Sequence, residues 1–211
     1  MTAPDFLFDG PPGAALTVAL AHGAGAPMDS DFMAAFAEGL AAAGFRVARF
    51  EFPYMAERRR TGKKRPPDRA PVLVKCWRAV IGHLGAENLV IGGKSLGGRM
   101  ATMVAAGLEG DGTPVRGLVS LGYPFHAPGR PRNPRVDHLK ALKTPALFLQ
   151  GSRDPFGGPE TVSGYGLAPA IRLHWLADGD HGFRPRKASG RTERQNLEEA
   201  IAAIAGFVGG L

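Results

Sequence analysis

The sequence contains a single cysteine, Cys76, among 211 residues. One thiol cannot form a disulfide within the chain, so a disulfide-stapled scaffold is excluded. Its neighbours, Val-Leu-Val-Lys before it and Trp-Arg-Ala-Val-Ile after it, resemble the apolar face of a helix. This setting favours a buried, inert thiol over a catalytic one.

Long apolar runs are also missing. No stretch approaches the roughly 20 residues that a membrane-spanning helix needs, and the first ten residues lack the basic start and apolar core of a secretory signal. We therefore expect a cytoplasmic protein without a membrane partner. The length and the apolar share of 44% are sufficient for one sizeable core, which predicts a single domain over residues 1–211.

Acidic residues are fewer than basic ones, with 19 Asp and Glu against 26 Lys and Arg and a net charge of +7. Such an excess attracts polyanions. The sequence nevertheless has no paired-cysteine zinc pattern, no aromatic RNA-binding motif and no heptad repeat with a basic extension. We expect no nucleic-acid partner, and the charge by itself assigns no activity.

The sequence does have a regular alternation of short β-rich apolar runs with amphipathic stretches of helical length. This alternation predicts the α/β class, with a doubly wound, mainly parallel sheet and helices on both faces. The predicted strands cover residues 16–21, 45–51, 88–92, 115–121, 145–150 and 170–176, with an additional strand at 6–8. The predicted helices cover residues 30–43, 71–85, 96–108, 136–142, 159–166 and 191–208.

Two segments interrupt the alternation. Residues 53–69 are rich in Arg, Lys and Pro, residues 122–135 are rich in Pro and Gly, and both are predicted to be loops. Each follows a strand. Loops that follow parallel strands emerge at the carboxyl edge of the sheet, where open α/β sheets bind their ligands.

The segment Gly-Lys-Ser-Leu-Gly at residues 93–97 lies directly between a predicted strand and a predicted helix. A G-x-S-x-G pattern in this context predicts a nucleophile, Ser95, on a strained turn. Gly93 and Gly97 would let the strand and the helix approach without a Cβ clash. The alternative is a tight turn without chemistry. A phosphate-binding loop would need a glycine six residues before Lys94, where the sequence has asparagine.

A serine nucleophile needs a base, and the base needs a group that orients it. Asp154 follows the strand predicted at 145–150, and the loop after the preceding strand contains no Asp or Glu. Its alternative role is to begin a turn in the Asp-Pro dipeptide. His181 is the histidine between the last predicted strand and the last helix. The three residues thus follow the chain order serine, acid, histidine, which is one of the orders known for a serine nucleophile with its base and acid.

The segment His-Gly-Ala-Gly at residues 22–25 follows the first long strand. The backbone N–H groups of Ala24 and Leu96 are the predicted oxyanion donors, with Gly23 and Gly25 allowing close approach. Two further residues, Lys94 and His126, are candidates for the rim of the substrate site. For His126, a turn residue is an equally good interpretation.

Many basic side chains fall in three loops that follow strands, at residues 53–69, 122–135 and 177–190. They are Arg58, Arg59, Arg60, Lys63, Lys64, Arg65, Arg130, Arg132, Arg135, Arg184, Arg186 and Lys187. We expect them to surround the catalytic edge, where they would attract an anionic substrate or partner. Pairing with nearby acids such as Asp68 and Glu57 is an alternative of equal weight.

Several motifs together point to one family. They are His22-Gly-Ala-Gly, Phe52-Pro-Tyr, Gly92-Gly-Lys-Ser-Leu-Gly-Gly-Arg, Leu121-Gly-Tyr-Pro-Phe-His, Gln150-Gly-Ser-Arg-Asp-Pro-Phe-Gly and Gly179-Asp-His-Gly-Phe. The sequence resembles bacterial α/β-hydrolases related to testis-expressed protein 30 and to subunit 3 of the NSL histone acetyltransferase complex. The resemblance covers most of the chain. It implies a minimal α/β-hydrolase fold and a triad of Ser95, Asp154 and His181, and it implies no substrate.

The expected function is that of a serine hydrolase, similar to a carboxylesterase or thioesterase, acting on an ester, thioester or related acyl bond without a metal or organic cofactor. An amide substrate stays open. No insertion is long enough for a large lid domain, which predicts an open site. The alternative is a non-catalytic binding module of the same fold that uses its basic rim to engage an acidic partner. The sequence assigns neither the acyl group nor an oligomeric state.

Overall fold

The structure is a computed structural model that describes residues 2–211. Seven strands of these residues form one sheet: β1 (Phe6–Asp9), β2 (Thr17–Ala21), β3 (Arg46–Phe50), β4 (Leu89–Lys94), β5 (Gly117–Leu121), β6 (Ala146–Gly151) and β7 (Ile171–Leu176). Their order across the sheet is β1-β3-β2-β4-β5-β6-β7. The edge strand β1 runs antiparallel to β3, and all other neighbours are parallel.

Burial follows from position in the sheet. Every residue of the central strands β5 and β6 is buried, as expected for parallel strands that are covered on both faces. The edge strands β1 and β7 contain partly exposed and exposed residues. The apolar runs seen in the sequence therefore correspond to the interior of the sheet.

In the described part of the chain, six α-helices accompany the sheet: α1 (Asp31–Ala42), α2 (Pro53–Thr61), α3 (Ala70–Leu84), α4 (Leu96–Gly110), α5 (Pro159–Val162) and α6 (Glu193–Gly209). One apolar cluster joins α3 and α4 to the sheet and includes Trp77 and Met100. A second cluster, on α1 and α6, includes Phe36 and Ile204. The prediction of a doubly wound sheet with helices on both faces is confirmed.

Cys76 is buried in the first cluster. Burial raises the pKa of its thiol to about 12, so the sulfur stays protonated at neutral pH. Within residues 2–211, no helix combines the length and the apolar character that crossing a bilayer requires.

The prediction of a loop over residues 53–69 is wrong in its first half, where α2 forms. Pro53 occupies the first turn, where its missing N–H is tolerated. The Asp68 carboxylate accepts the Tyr54 N–H at 2.9 Å and so satisfies a free donor of that turn. Gly62 ends the helix with φ +72°. The helix was not predicted because only Tyr54 and Met55 are buried in it, so its arginine-rich sequence has no apolar periodicity.

Two predicted helices are shorter than expected. In the segment 136–142 only a 3₁₀ turn forms, at Asp137–Leu139. The chain then departs from helical geometry, and the Lys143 N–H donates to the Glu109 side chain at 2.9 Å. The predicted helix at 159–166 is divided into α5 and a 3₁₀ turn, and Gly166 ends the turn with φ +61°.

Candidate active site

Ser95 lies between the last residue of β4 and the first residue of α4. Its backbone has φ 50° and ψ −108°, a conformation that residues other than glycine rarely adopt. The Ser95 N–H donates to the Leu121 carbonyl of β5 at 2.9 Å, which fixes the turn against the sheet. Such strain persists only where the surroundings impose it, and it marks Ser95 as a candidate functional residue.

The glycines on either side of Ser95 lie where the chain has no room for a side chain. A Cβ on Gly93 or on Gly97 would fall well inside contact distance of the Ala21 carbonyl oxygen of β2. The obstacle is backbone, which cannot move aside cheaply. The close approach predicted for these two glycines is therefore present in the structure.

The structure brings Ser95, His181 and Asp154 together. Ser95 Oγ lies 2.9 Å from His181 Nε2, and His181 Nδ1 lies 2.8 Å from Asp154 Oδ2. One arrangement of protons satisfies both contacts: Ser95 donates to the imidazole, and the imidazole donates to the carboxylate. The Asp154 side chain is fully buried, whereas the His181 side chain is 25% exposed. The imidazole thus connects a buried anion to a serine at the surface of a cavity.

Asp154 is held by two groups besides the histidine. The Gln150 amide donates to Asp154 Oδ2 at 2.9 Å, and the Phe156 N–H donates to Oδ1 at 2.8 Å. Gln150 also accepts from the Tyr123 N–H at 2.8 Å. The Phe156 ring packs on the imidazole of His181, with 4.4 Å between the ring centroids. Sequence reasoning missed Gln150, and the only signal for it is one polar residue inside an apolar strand.

The loop after β2 is shaped by a histidine and a tyrosine. His22 is fully buried; it donates from Nδ1 to the Gly23 carbonyl at 2.6 Å and accepts at Nε2 from the Phe52 N–H at 3.1 Å. Burial lowers the pKa of His22, which favours the neutral ring that this pattern needs. The Tyr54 hydroxyl donates to the Ala24 carbonyl at 3.1 Å. Sequence reasoning missed both side chains as supports of this loop.

The predicted oxyanion donors lie on both sides of the serine turn. Leu96 directly follows Ser95, and Ala24 lines the same cavity as Ser95. Neither N–H finds an acceptor among residues 2–211. Gly23 approaches Lys94, since a Cβ there would lie 3.3 Å from the lysine Cγ. A Cβ on Gly25 would meet no protein atom within 4 Å, so Gly25 borders open space, and its role beside the oxyanion donors stays a prediction.

A cavity of about 530 Å³ opens over the serine. Its lining includes Ser95, His181, Ala24, Phe32, Met33 and Phe156. A cavity of about 610 Å³ lies beside α2, but it is lined by none of the three connected residues. Because Ser95 and His181 line the 530 Å³ cavity, this cavity is the candidate site.

Of the two residues predicted for the substrate rim, one lines the cavity. Lys94 contributes to the lining, with its amine directed at the His181 carbonyl. His126 is 5% exposed and absent from the lining. Its ring bonds the Ala127 carbonyl at 2.8 Å and lies against Tyr165, which draws it into the interior. The prediction of a rim position for His126 is wrong.

Part of the basic rim is paired with local acids. Arg59 binds Glu51 and Asp29, both at 2.8 Å, and Arg184 binds Glu193 at 2.9 Å. Ion pairs also join Arg60 to Glu57 and Arg186 to Asp178. Within residues 2–211 the following side chains have no such pair: Arg58, Lys63, Lys64, Arg65, Arg130, Arg132, Arg135 and Lys187. Pairing with local acids thus accounts for part of the rim, and attraction of an anionic substrate or partner stays a prediction for the other residues.

The sequence matches the family described as the alpha/beta hydrolase domain over residues 14–209. The match spans nearly the whole chain, and the chain belongs to this family. The predicted α/β-hydrolase fold and the prediction of a hydrolase are confirmed.

Known proteins resemble the chain in part or in fold. Carboxymethylenebutenolidase of Pseudomonas putida is 28% identical over 102 residues, 46% of this chain and only 39% of that protein. A dienelactone hydrolase structure from Anabaena variabilis superposes with a TM-score of 0.69 at 22% identity, covering 97% of this chain and 90% of that one. An alpha-beta serine hydrolase homologue from Coxiella burnetii gives 0.70 at 18% identity, covering 98% and 90%. At these identities the structures share the fold.

Proposed function

We propose that the protein is a serine hydrolase that cleaves an ester, thioester or related acyl bond with Ser95 as nucleophile, His181 as general base and acid, and Asp154 as the group that orients the imidazole. The observation behind this proposal is the continuous pair of contacts, 2.9 and 2.8 Å long, from the strained serine to the buried carboxylate. Nucleophilic catalysis by a serine commonly uses this series of groups, in which the base activates the hydroxyl and the carboxylate orients the base.

The reaction would proceed in two halves. Ser95 Oγ forms a bond to the acyl carbon while its proton passes to His181 Nε2, and the N–H groups of Leu96 and Ala24 bind the developing oxyanion. The bond to the leaving group breaks, and the leaving group takes the proton from His181. Water then attacks the acyl ester on Ser95 by the same route, releasing the acid and restoring the serine. Asp154 accepts from His181 Nδ1 throughout.

The cavity supports an acyl group that is at least partly apolar. Phe32, Met33 and Phe156 line the space beside Ser95. The name of the curated relatives refers to a butenolide, which is a ring-closed ester, and this supports an ester as the first bond to test. Because the matched segment is less than half of those relatives, it supports the type of bond only. The resemblance to relatives of testis-expressed protein 30 and of subunit 3 of the NSL histone acetyltransferase complex stays a prediction from the motifs.

Esters of p-nitrophenol with acyl chains of increasing length test the proposal. The wild-type protein should release p-nitrophenolate, and Ser95→Ala should lower kcat by on the order of 10³-fold or more. The exposed Ser189→Ala is the matched control and should keep the wild-type rate. Equal turnover by wild type and Ser95→Ala would refute Ser95 as the nucleophile.

A binding role is the second candidate, favoured by the exposed cations without ion pairs at residues 63–65 and 130–132. Under this alternative an acidic partner binds wild type and Ser95→Ala equally, and neither protein turns over an ester. Polyglutamate is a defined probe for such binding. Turnover that depends on Ser95 would instead support the hydrolase.

A further inference from the structure

Lys94, the residue before Ser95, is half-buried, and its side chain lies between three segments that surround the site. Its Nζ donates to the main-chain carbonyl of His181. It lies 4.8 Å from the centre of the Phe32 ring and 5.0 Å from that of Phe183. A Cβ on Gly122 would lie only 2.8 Å from the amine. The amine therefore contacts α1, the chain after β5 and the loop that bears His181.

Among the residues that the structure describes, the charge of Lys94 has no direct ion-pair partner. Within residues 2–211 no carboxylate lies within 4 Å of its amine, and the carboxylates that act on it from farther away are Asp154 and Asp180. Burial lowers the pKa of Lys94 to about 8, and those two carboxylates oppose the shift. The aromatic faces favour the cation as well. A methionine would fill similar space without a buried charge, so the lysine is not explained by packing.

We infer that Lys94 is a positioning residue of the candidate active site, whose ammonium group ties the main chain of His181 to the strand end that bears Ser95. The side-chain contacts of His181 orient its ring, and the Arg153 N–H and the Asn196 amide bond the main chain nearby, at Gly179 and Phe183. The Lys94 amine adds a bond from the main chain of His181 itself to the residue next to the serine. Catalysis is sensitive to such placement, since a displacement of about 1 Å can lower a rate by about 100-fold.

This inference rests on the proposed function and adds a pH dependence to it. The ionisable groups that face Lys94 are Asp154 from the chain after β6 and Asp180 and His181 from the loop after β7; the groups from α1 and position 183 are phenyl rings. As the pH rises through the titration of Lys94, the ammonium becomes an amine and loses its attraction to the rings. The hold on the His181 loop then weakens.

The test measures the rate constant for labelling by a fluorophosphonate between pH 6 and pH 10. Wild type should show a rate that falls above about pH 8. Lys94→Met should label about 10- to 100-fold more slowly at pH 7 and should lack the alkaline fall. Lys75→Met, which removes an exposed cation on α3, should match wild type. A Lys94→Met protein with the wild-type rate, or with the same alkaline fall, would overturn the inference.

A second variant keeps the lysine. Phe32→Leu removes one ring face from the ammonium, and the alkaline fall should move to lower pH. An unchanged profile would contradict a role for the cation.

Hydrogen–deuterium exchange supplies a readout without turnover. Lys94→Met should raise uptake in peptides covering residues 179–183 and leave α3 unchanged; equal uptake there would refute the tie. If wild type is not labelled at all, the proposed function fails, and the exchange data still decide whether Lys94 holds the loop.

Discussion

Replacing Gln150 tests whether the buried carboxylate of the candidate site depends on a neighbour in β6. The Gln150 side chain is fully buried. It donates to Asp154 Oδ2 at 2.9 Å and to the Tyr123 and Gly157 carbonyls at 3.2 Å, and it accepts from the Tyr123 N–H. Leucine at this position fills the volume but satisfies none of these groups.

The expected loss in the free energy of unfolding follows from the groups left without partners. A buried N–H without an acceptor costs about 1–3 kcal/mol, and a hydrogen bond to a charged group contributes about 1.5–3 kcal/mol. With partial relaxation of the groups left without partners, Gln150→Leu should lower the free energy of unfolding by about 3–5 kcal/mol. For a chain of this size, that corresponds to a decrease in Tm of roughly 10 °C.

Urea denaturation followed by circular dichroism measures this loss, with Ser120→Ala as the matched control. Ser120 is also a buried polar residue of a central strand, but its Oγ has no hydrogen-bond partner within residues 2–211. Its replacement should change stability by less than about 0.5 kcal/mol. Gln150→Glu should be less stable at pH 8 than at pH 5, because two adjacent carboxylates can share a proton only in acid. A Gln150→Leu protein within about 1 kcal/mol of wild type would refute this reasoning.

Three further predictions concern single residues: Gly97, His138 and Asp154. Gly97→Ala should lower the free energy of unfolding by about 2 kcal/mol or more, because the new Cβ would meet the backbone of β2. The control Gly82→Ala, which has open space around it in α3, should raise the free energy of unfolding by about 0.5–1 kcal/mol. A Gly97→Ala protein as stable as wild type in urea would contradict the close approach of the two segments. Burial lowers the pKa of His138 from 6.5 to about 4, so the unfolded state binds more protons than the folded state over this pH range. The free energy of unfolding should therefore fall as the pH drops through this range, by at most about 1.4 kcal/mol per pH unit. His138→Asn should make this fall less steep, and equal slopes for the two proteins in urea titrations would rule the prediction out. Asp154→Asn should lower ester kcat by on the order of 10³- to 10⁴-fold, since asparagine does not select the imidazole tautomer that accepts from the serine; a loss below about tenfold would count against Asp154.

The parts of the site that sequence reasoning predicted are those with local signals. Gly93 and Gly97 predict the turn at Ser95, because a G-x-S-x-G spacing between a strand and a helix is typical of a nucleophile turn. Asp154 and His181 were predicted from chain order, and the structure places both within hydrogen-bond distance of their expected partners. The overall alternation of strands and helices is likewise a local pattern.

The parts that were missed depend on contacts between distant segments. Tyr54 reaches the loop at Ala24 only because α2 packs beside it, and α2 has no apolar stripe from which it could be predicted. His126 was placed at the rim because its loop leaves the carboxyl edge of the sheet, but the ring turns inward against Tyr165. The residues next to Tyr54 and His126 in the sequence do not determine where these two side chains point.

The most direct test of the central claim is the intact mass of the protein after treatment with a fluorophosphonate. The contacts among Ser95, His181 and Asp154 predict one adduct on wild type, located at Ser95, and none on Ser95→Ala. An unmodified wild-type protein, or an adduct of equal yield on Ser95→Ala, would contradict an activated serine at this turn.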